Sequence, residues 1–251
     1  MKKQKPKTLD QVIGQTTNSL VDFLMMDVAI DKKQTPYLTE SKVHHDLFEL
    51  LAATDIRNRI THAIRLIRTD LKGHLGQEEL AQVNQEFSRA AEIIISMLQE
   101  KHPVEESIEK LSAMPDHLQG ILKISEQSFH YFYQCGERLF NTTHFKDARD
   151  VFFLLTLLNP YKYNVWIASG LAEKRFGDNN KALEAFAMAA LLDLSSVFSH
   201  LYSAECYRDL HDNTNAVISL ETALSVVTEH PQPDDQKIRE HIHSLINKYK
   251  G

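Results

Sequence analysis

Apolar side chains recur every three or four residues along most of this 251-residue chain. This is the spacing of one face of an amphipathic α-helix, and residues 80–97 follow it closely. Gly73 and Gly76 separate two long stretches of the pattern, as glycines do where a helix ends. The pattern predicts helices over residues 16–30, 41–72, 77–101, 104–113 and 116–123.

The second half of the chain repeats one pattern of residue sizes with a period of 34 residues. Small residues occupy one position of the repeat at Gly136, Gly170 and Ala204, and a second at Ala148, Ala182 and Ala216. Large residues follow each of these alanines by four positions, at Phe152, Phe186 and Leu220. A 34-residue period with two fixed small positions is the signature of the tetratricopeptide repeat, a helix–turn–helix unit.

The repeated sizes have a physical reason. A glycine or alanine in the first helix and an alanine in the second let the two backbones approach, and the large residue fills the angle between the helices. One helix pair does not bury its apolar face alone, so about three units must stack. Residues 234–250 are predicted to form a helix that caps the third unit through Ile238, Ile242, Leu245 and Ile246.

These patterns predict an all-α protein. Three tandem tetratricopeptide repeats over about residues 128–228 form an α-solenoid with a C-terminal capping helix. An N-terminal helical unit, a hairpin of two long helices with shorter satellites, precedes them. Since Pro103 and Pro115 mark a junction between the two parts, the predicted domains are residues 1–115 and 116–251.

Composition describes an ordinary globular chain, with 43% hydrophobic and 25% charged residues. The net charge is −6 and no half of the chain is polybasic, which excludes nucleic acid as the main partner. Two cysteines, Cys135 and Cys206, do not make a disulfide framework and are interpreted as buried structural thiols. The most apolar run, residues 20–30, contains two aspartates and is too short to cross a bilayer, so we expect a cytosolic protein without membrane insertion.

No motif of an enzyme or a metal site is found in the sequence. The thirteen histidines show no H-E-x-x-H and no Cys/His ligand spacing, and no phosphate-binding loop or nucleophile elbow is present. We therefore expect no catalytic residues, no metal and no cofactor. A basic cluster on the second predicted helix is interpreted as a solvated face, or else as a surface for an acidic partner, nucleic acid or a membrane: Arg57, Arg59, Arg65, Arg68 and Lys72.

Beyond the general repeat, residues 118–227 resemble the tetratricopeptide class of bacterial type III secretion chaperones, which carry translocator proteins. Residues 122–160 (LKISEQSFHYFYQCGERLFNTTHFKDARDVFFLLTLLNP) resemble the first repeat of that family, and residues 182–193 (ALEAFAMAALLD) the second. The stretch SAECY at 203–207 matches an Ala-Glu-Cys feature of the third repeat. Two departures are that about 115 residues precede the repeats, where the family usually has a short arm, and that Leu194 stands where proline is common.

In stacked repeats the first helices line a concave groove, and we refer to their inward positions as the predicted groove. They are His130, Tyr133, Glu137, Phe140, Asn164, Ile167, Leu171, Lys174, Phe198, Leu201, Glu205 and Arg208. Aromatic and aliphatic side chains with few charges suit an extended apolar peptide. A clamp for a C-terminal carboxylate needs lysine and asparagine on the first repeat, where this chain has Tyr133 and Glu137.

The resemblance implies a cytoplasmic bacterial chaperone that holds an apolar segment of a secreted translocator or effector and keeps it competent for export, a role in virulence. It further implies a homodimer or a transcription activator as additional partners. The alternative is a scaffolding or regulatory protein of the secretion apparatus, with one partner on the N-terminal helices and another on the repeats.

Overall fold

The structure is a computed structural model that describes residues 54–99, 117–229 and 235–250. These residues form helices and turns with no β-strand. The predicted helices 16–30 and 104–113, and the first part of 41–72, lie outside the described residues. The described residues contain ten helices: α1 Thr54–His74, α2 Gln77–Gln99, α3 Leu118–Ile121, α4 Glu126–Asn141, α5 Phe145–Leu158, α6 Tyr163–Phe176, α7 Asn179–Leu192, α8 Val197–Asp209, α9 Asn213–Glu229 and α10 Asp235–Lys250.

The chain divides into two compact units, residues 1–132 and 133–251. In the first, α1 buries an apolar stripe at the predicted spacing, with Ile60, Ile67 and Leu71 withdrawn from solvent. The predicted helix 116–123 is only one turn long, because Lys123 adopts a left-handed conformation that ends it.

Hydrogen bonds fix α2 within this first unit. The Glu79 carboxylate accepts from the backbone N–H of Gly76 at 3.0 Å, which caps the helix, and from the Tyr131 hydroxyl at 2.9 Å. The Glu86 carboxylate accepts from the backbone N–H of Ser125 at 3.1 Å. The Phe87 ring stacks on Phe132, with centroids 5.3 Å apart. Residues 125–132 are therefore anchored to α2 by both polar and apolar contacts.

Three helix pairs follow the 34-residue period and confirm the predicted repeats. They are α4 with α5, α6 with α7, and α8 with α9. All three alanines of the second small position are fully buried, and so are the large residues that follow them. These six residues are Ala148, Ala182, Ala216, Phe152, Phe186 and Leu220. The pattern of sizes is thus the pattern of contacts between the two helices of each unit.

The glycines of the first small position lie against the phenylalanine rings. A Cβ atom added to Gly136 would lie 2.7 Å from the Phe152 ring, and one on Gly170 would lie 2.7 Å from Phe186 Cδ1. Carbon atoms do not approach this closely without displacing one another. Since both rings are buried, the glycine and the phenylalanine of the first and of the second repeat require one another.

The turn between the two helices of each unit contains a residue with positive φ, again at a period of 34. These residues are Thr143, Gly177 and His211, with φ of 64°, 102° and 62°. Only Gly177 adopts this conformation without a steric cost. The geometry of the repeat therefore sets the backbone conformation of each turn. Thr143 and His211 adopt this conformation although their residue types disfavour it.

The helix α10 caps the third repeat, as predicted. Its Ile242, Ile246 and Tyr249 are buried against the apolar residues of α8 and α9. The Arg239 guanidinium donates to the Val227 carbonyl at 3.0 Å, and Lys250 pairs with Glu221 at 2.9 Å. Within the described ranges, no helix has the length and apolar character needed to cross a membrane.

The division into domains 1–115 and 116–251 is a prediction about independent folding. If it is right, each part expressed alone should be soluble and give a helical circular dichroism spectrum, because each carries its own apolar stripes. An insoluble or unfolded repeat fragment would show that the two parts need a common core.

Candidate functional site

Every residue of the predicted groove lies on a first helix, α4, α6 or α8, and keeps part of its surface in solvent. His130 belongs to the first compact unit and the others to the second. His130, Glu137, Asn164 and Phe198 are exposed. The rest are partly buried: Tyr133, Phe140, Ile167, Leu171, Lys174, Leu201, Glu205 and Arg208.

Tyr133 joins the first repeat to the second. Its hydroxyl is hydrogen-bonded to the Asn164 side chain, and its ring meets the Phe152 ring edge-on with centroids 5.6 Å apart. Burial raises the pKa of Tyr133, and the neighbouring Glu137 carboxylate adds to the rise. The phenol therefore stays neutral and presents an apolar ring with one polar end.

Lys174 joins the second repeat to the third. Its ammonium lies 3.0 Å from the Glu205 carboxylate and 3.5 Å from that of Asp209. Burial opposes the charge of Lys174, but the two carboxylates outweigh it and raise its pKa. Arg208 donates to the same Asp209 carboxylate at 2.6 Å. Two cations and two anions at this end of the groove thus neutralise one another.

Several apolar residues of the predicted groove also take part in repeat packing. Ile167 and Leu171 pack against the buried cluster of Ala182, Phe186 and Cys206. Leu201 packs in the same way against the cluster of the third repeat. These side chains offer only part of their surface to a ligand, so the surface they form is shallow and fixed in shape.

Phe198 differs, because half of its surface is exposed. Its ring stacks on Tyr202, with centroids 6.3 Å apart, and Tyr202 contacts the Phe186 ring at 5.3 Å. Sequence reasoning missed Tyr202 and Asp209. Tyr202 stands one helical turn after Phe198, so its spacing was a signal; Asp209 is adjacent to Arg208 and gave none.

The described residues contain no group of three or more histidine, cysteine or acidic side chains placed to hold a metal ion. Burial raises the pKa of the Cys206 thiol to about 12, so this sulfur stays protonated near neutral pH and is a poor nucleophile.

No protein-family model and no curated protein matches the sequence. Solved structures do match the fold. The type III secretion translocator chaperone SycD of Yersinia enterocolitica is 17% identical, with a TM-score of 0.50, and the match covers 53% of this chain and 98% of SycD. The repeats have the fold of a type III secretion translocator chaperone. A chain of a type III secretion complex from Aeromonas hydrophila is 18% identical, with a TM-score of 0.53. This match covers 58% of the present chain and 95% of the Aeromonas chain.

The likeness to this chaperone fold extends over nearly the whole of SycD but little more than half of this chain. A complete chaperone fold is therefore contained in this protein together with a large additional part. The resemblance inferred from the repeat motifs is confirmed at the level of the fold.

Proposed function

We propose that this protein is a bacterial cytosolic chaperone that binds an extended apolar segment of a type III secretion substrate in the predicted groove. The proposal is supported by the shared fold with a translocator chaperone and by the character of the groove side chains. The cargo would be a translocator or an effector. Its exposed apolar segment would be masked, and thereby kept from aggregation, until export.

The single observation that carries this proposal is the distribution of charge in the groove. Lys174, Glu205, Asp209 and Arg208 are already paired with one another. A charged ligand group would have to break these pairs, whereas an apolar segment leaves them intact. Tyr133, Leu171 and Phe198 then offer apolar contacts to alternate side chains of an extended peptide. Binding by mass action suffices, and no nucleotide is needed.

An alternative is a scaffold that joins two partners, the second of which could be a secretion-apparatus component or a transcription activator. It is favoured by the part of this chain that has no counterpart in SycD. Deletion of residues 1–115 separates the two hypotheses, because a cargo chaperone retains peptide binding in the repeats and a scaffold loses one of two partners.

The proposed site can be tested by photo-crosslinking. The probe is an eight-residue peptide in which leucine alternates with serine and one leucine is replaced by benzoylphenylalanine. After irradiation, mass spectrometry should find the peptide attached to α4, α6 and α8, near Tyr133, Leu171 and Leu201. Attachment mainly to the second helices, near Lys146 or Lys181, or no attachment at all, would contradict the proposal.

A further inference from the structure

Four large apolar side chains form a strip at the end of the second repeat. Met188 and Leu191 lie on α7, Leu194 lies in the following turn, and Phe198 lies at the start of α8. They are 36%, 71%, 74% and 52% exposed, respectively. We call these four residues the edge strip.

The first repeat has Leu154 and Leu157 at the positions of Met188 and Leu191, but there they are buried or partly buried, and the third repeat has no apolar residues at these positions. One repeat further on, the equivalent residues are Thr222, Ser225 and Thr228, all polar and all exposed. Both Thr222 and Ser225 lie on the second helix of their repeat, as Met188 and Leu191 do. Exposed leucines at positions where the same architecture accepts serine and threonine indicate a binding surface rather than a packing need.

The turn that carries Leu194 is fixed. The backbone N–H and the hydroxyl of Ser195 both donate to the Asp193 carboxylate, at 3.0 and 2.6 Å. The Ser196 hydroxyl is hydrogen-bonded to the Tyr163 hydroxyl, which ties this turn to the start of α6. The backbone that carries Leu194 is therefore already ordered, so a partner that covers this turn would pay little backbone entropy.

The edge strip shares one residue, Phe198, with the predicted groove. Leu194 precedes it by four residues, and the Phe198 ring stacks on Tyr202 further along α8. We propose that an extended apolar segment of the cargo leaves the groove at Phe198 and continues across the edge strip. This proposal rests on the proposed function and extends the same binding surface.

Two other occupants fit less well. A stable interface with a second copy of the chain needs about 20–30 residues on each side, and the strip has four. A membrane surface carries negative charge, and the acidic Glu184 and Asp193 flank the strip. A segment already bound in the neighbouring groove needs only a short additional contact, which is what four side chains provide.

Two peptides of different length test this inference. The first alternates leucine and serine over eight residues and spans roughly 26 Å when extended; the second continues the pattern to 16 residues, roughly 53 Å. Wild-type protein should bind the longer peptide about tenfold more tightly in fluorescence anisotropy. Replacement of Leu191 and Leu194 by serine should abolish this gain and leave the affinity for the shorter peptide unchanged.

The control variant is Ile218→Ser, which removes an apolar side chain that is 53% exposed from α9. It should bind both peptides like wild type. Equal wild-type affinity for the two peptides, or a serine variant that keeps the gain, overturns the edge strip alone. Failure of wild type to bind the shorter peptide overturns the proposed function and the strip with it. Sedimentation could also show that the wild type forms a dimer and that the serine variant does not. This result would assign the strip to an interface with a second copy of the chain and overturn the inference.

Discussion

Phe186→Ala is expected to lower the free energy of unfolding of the repeats by about 3–5 kcal/mol, since this is the usual cost of deleting a buried phenylalanine ring. The Phe186 side chain has no exposed surface and contacts both helices of its own repeat and Tyr202 of the next. Urea unfolding followed by circular dichroism gives the difference. The matched variant Leu191→Ala, on the same helix but 71% exposed, should change stability by no more than about 0.5 kcal/mol.

Gly170, which lies against the Phe186 ring, allows a sharper test of this packing. Gly170→Ala in the wild-type protein should destabilise the repeats by about 1–3 kcal/mol, because the new Cβ atom would overlap the Phe186 ring. In the Phe186→Ala background the overlap is gone, and the same change should stabilise the helix by roughly 0.5–1 kcal/mol.

Gly73→Ala serves as the control, since a Cβ atom there meets nothing within 4 Å. Gly73 lies in the other compact unit, one residue from the end of α1, so the change should leave the unfolding free energy of the repeats the same in both backgrounds. If Gly170→Ala had the same sign with and without the ring, the glycine would not be serving the close approach of the two helices.

The sequence was sufficient to predict the repeats because the contact between the two helices of a unit constrains residue size. At Ala182 and Gly170 only small residues fit, and the ring of Phe186 fills what remains. Such constraints recur wherever the geometry recurs, so they are visible as a period. The capping helix was predictable for a related reason, since Ile242 and Ile246 share one helical face.

The left-handed residues of the turns were not predictable in the same way. Gly177 indicated its conformation by residue type, but Thr143 and His211 did not, because threonine is rarely left-handed and histidine, although more often left-handed than most residues, adopts this conformation only in a minority of cases. In these two turns the packing of the helices decides the backbone, and the local preference of the residue is overridden.

The site was predictable in position but not in its interactions. The period placed Lys174 and Glu205 on first helices, but their 3.0 Å ion pair depends on the rotation of α6 against α8. Apolar pattern alone also did not separate ligand contacts from packing. Leu171 satisfies both descriptions, because one part of its side chain meets Phe186 and another part remains exposed.

Because Leu171 both packs against the core and remains partly exposed, a test of the groove at this residue has to separate binding from stability. Tyr133→Asp combined with Leu171→Asp should weaken binding of the eight-residue leucine–serine peptide about a thousandfold in fluorescence anisotropy. Each carboxylate would lose water when the apolar peptide docks, at about 2 kcal/mol apiece, and about 4 kcal/mol corresponds to roughly three factors of ten.

The loss of packing at Leu171 has to be separated from the loss of binding. The matched variant carries asparagine at both positions, which removes the same apolar contacts but adds no charge. It should bind the peptide much more tightly than the aspartate pair, while circular dichroism shows both to be equally helical at the temperature of the measurement.

Lowering the pH gives a second way to separate the effect of the introduced charges on binding from the effect of the changed side-chain shape. A carboxylate that the bound peptide desolvates has a raised pKa in the complex, so protonation favours binding. The aspartate pair should therefore regain affinity as the pH falls from 7 towards 5, and the asparagine pair should not. If the aspartate and asparagine pairs bind equally well at pH 7, the peptide does not lie over Tyr133 and Leu171. Retention of binding by both pairs, together with its loss on deletion of residues 1–115, would move the cargo site out of the repeats.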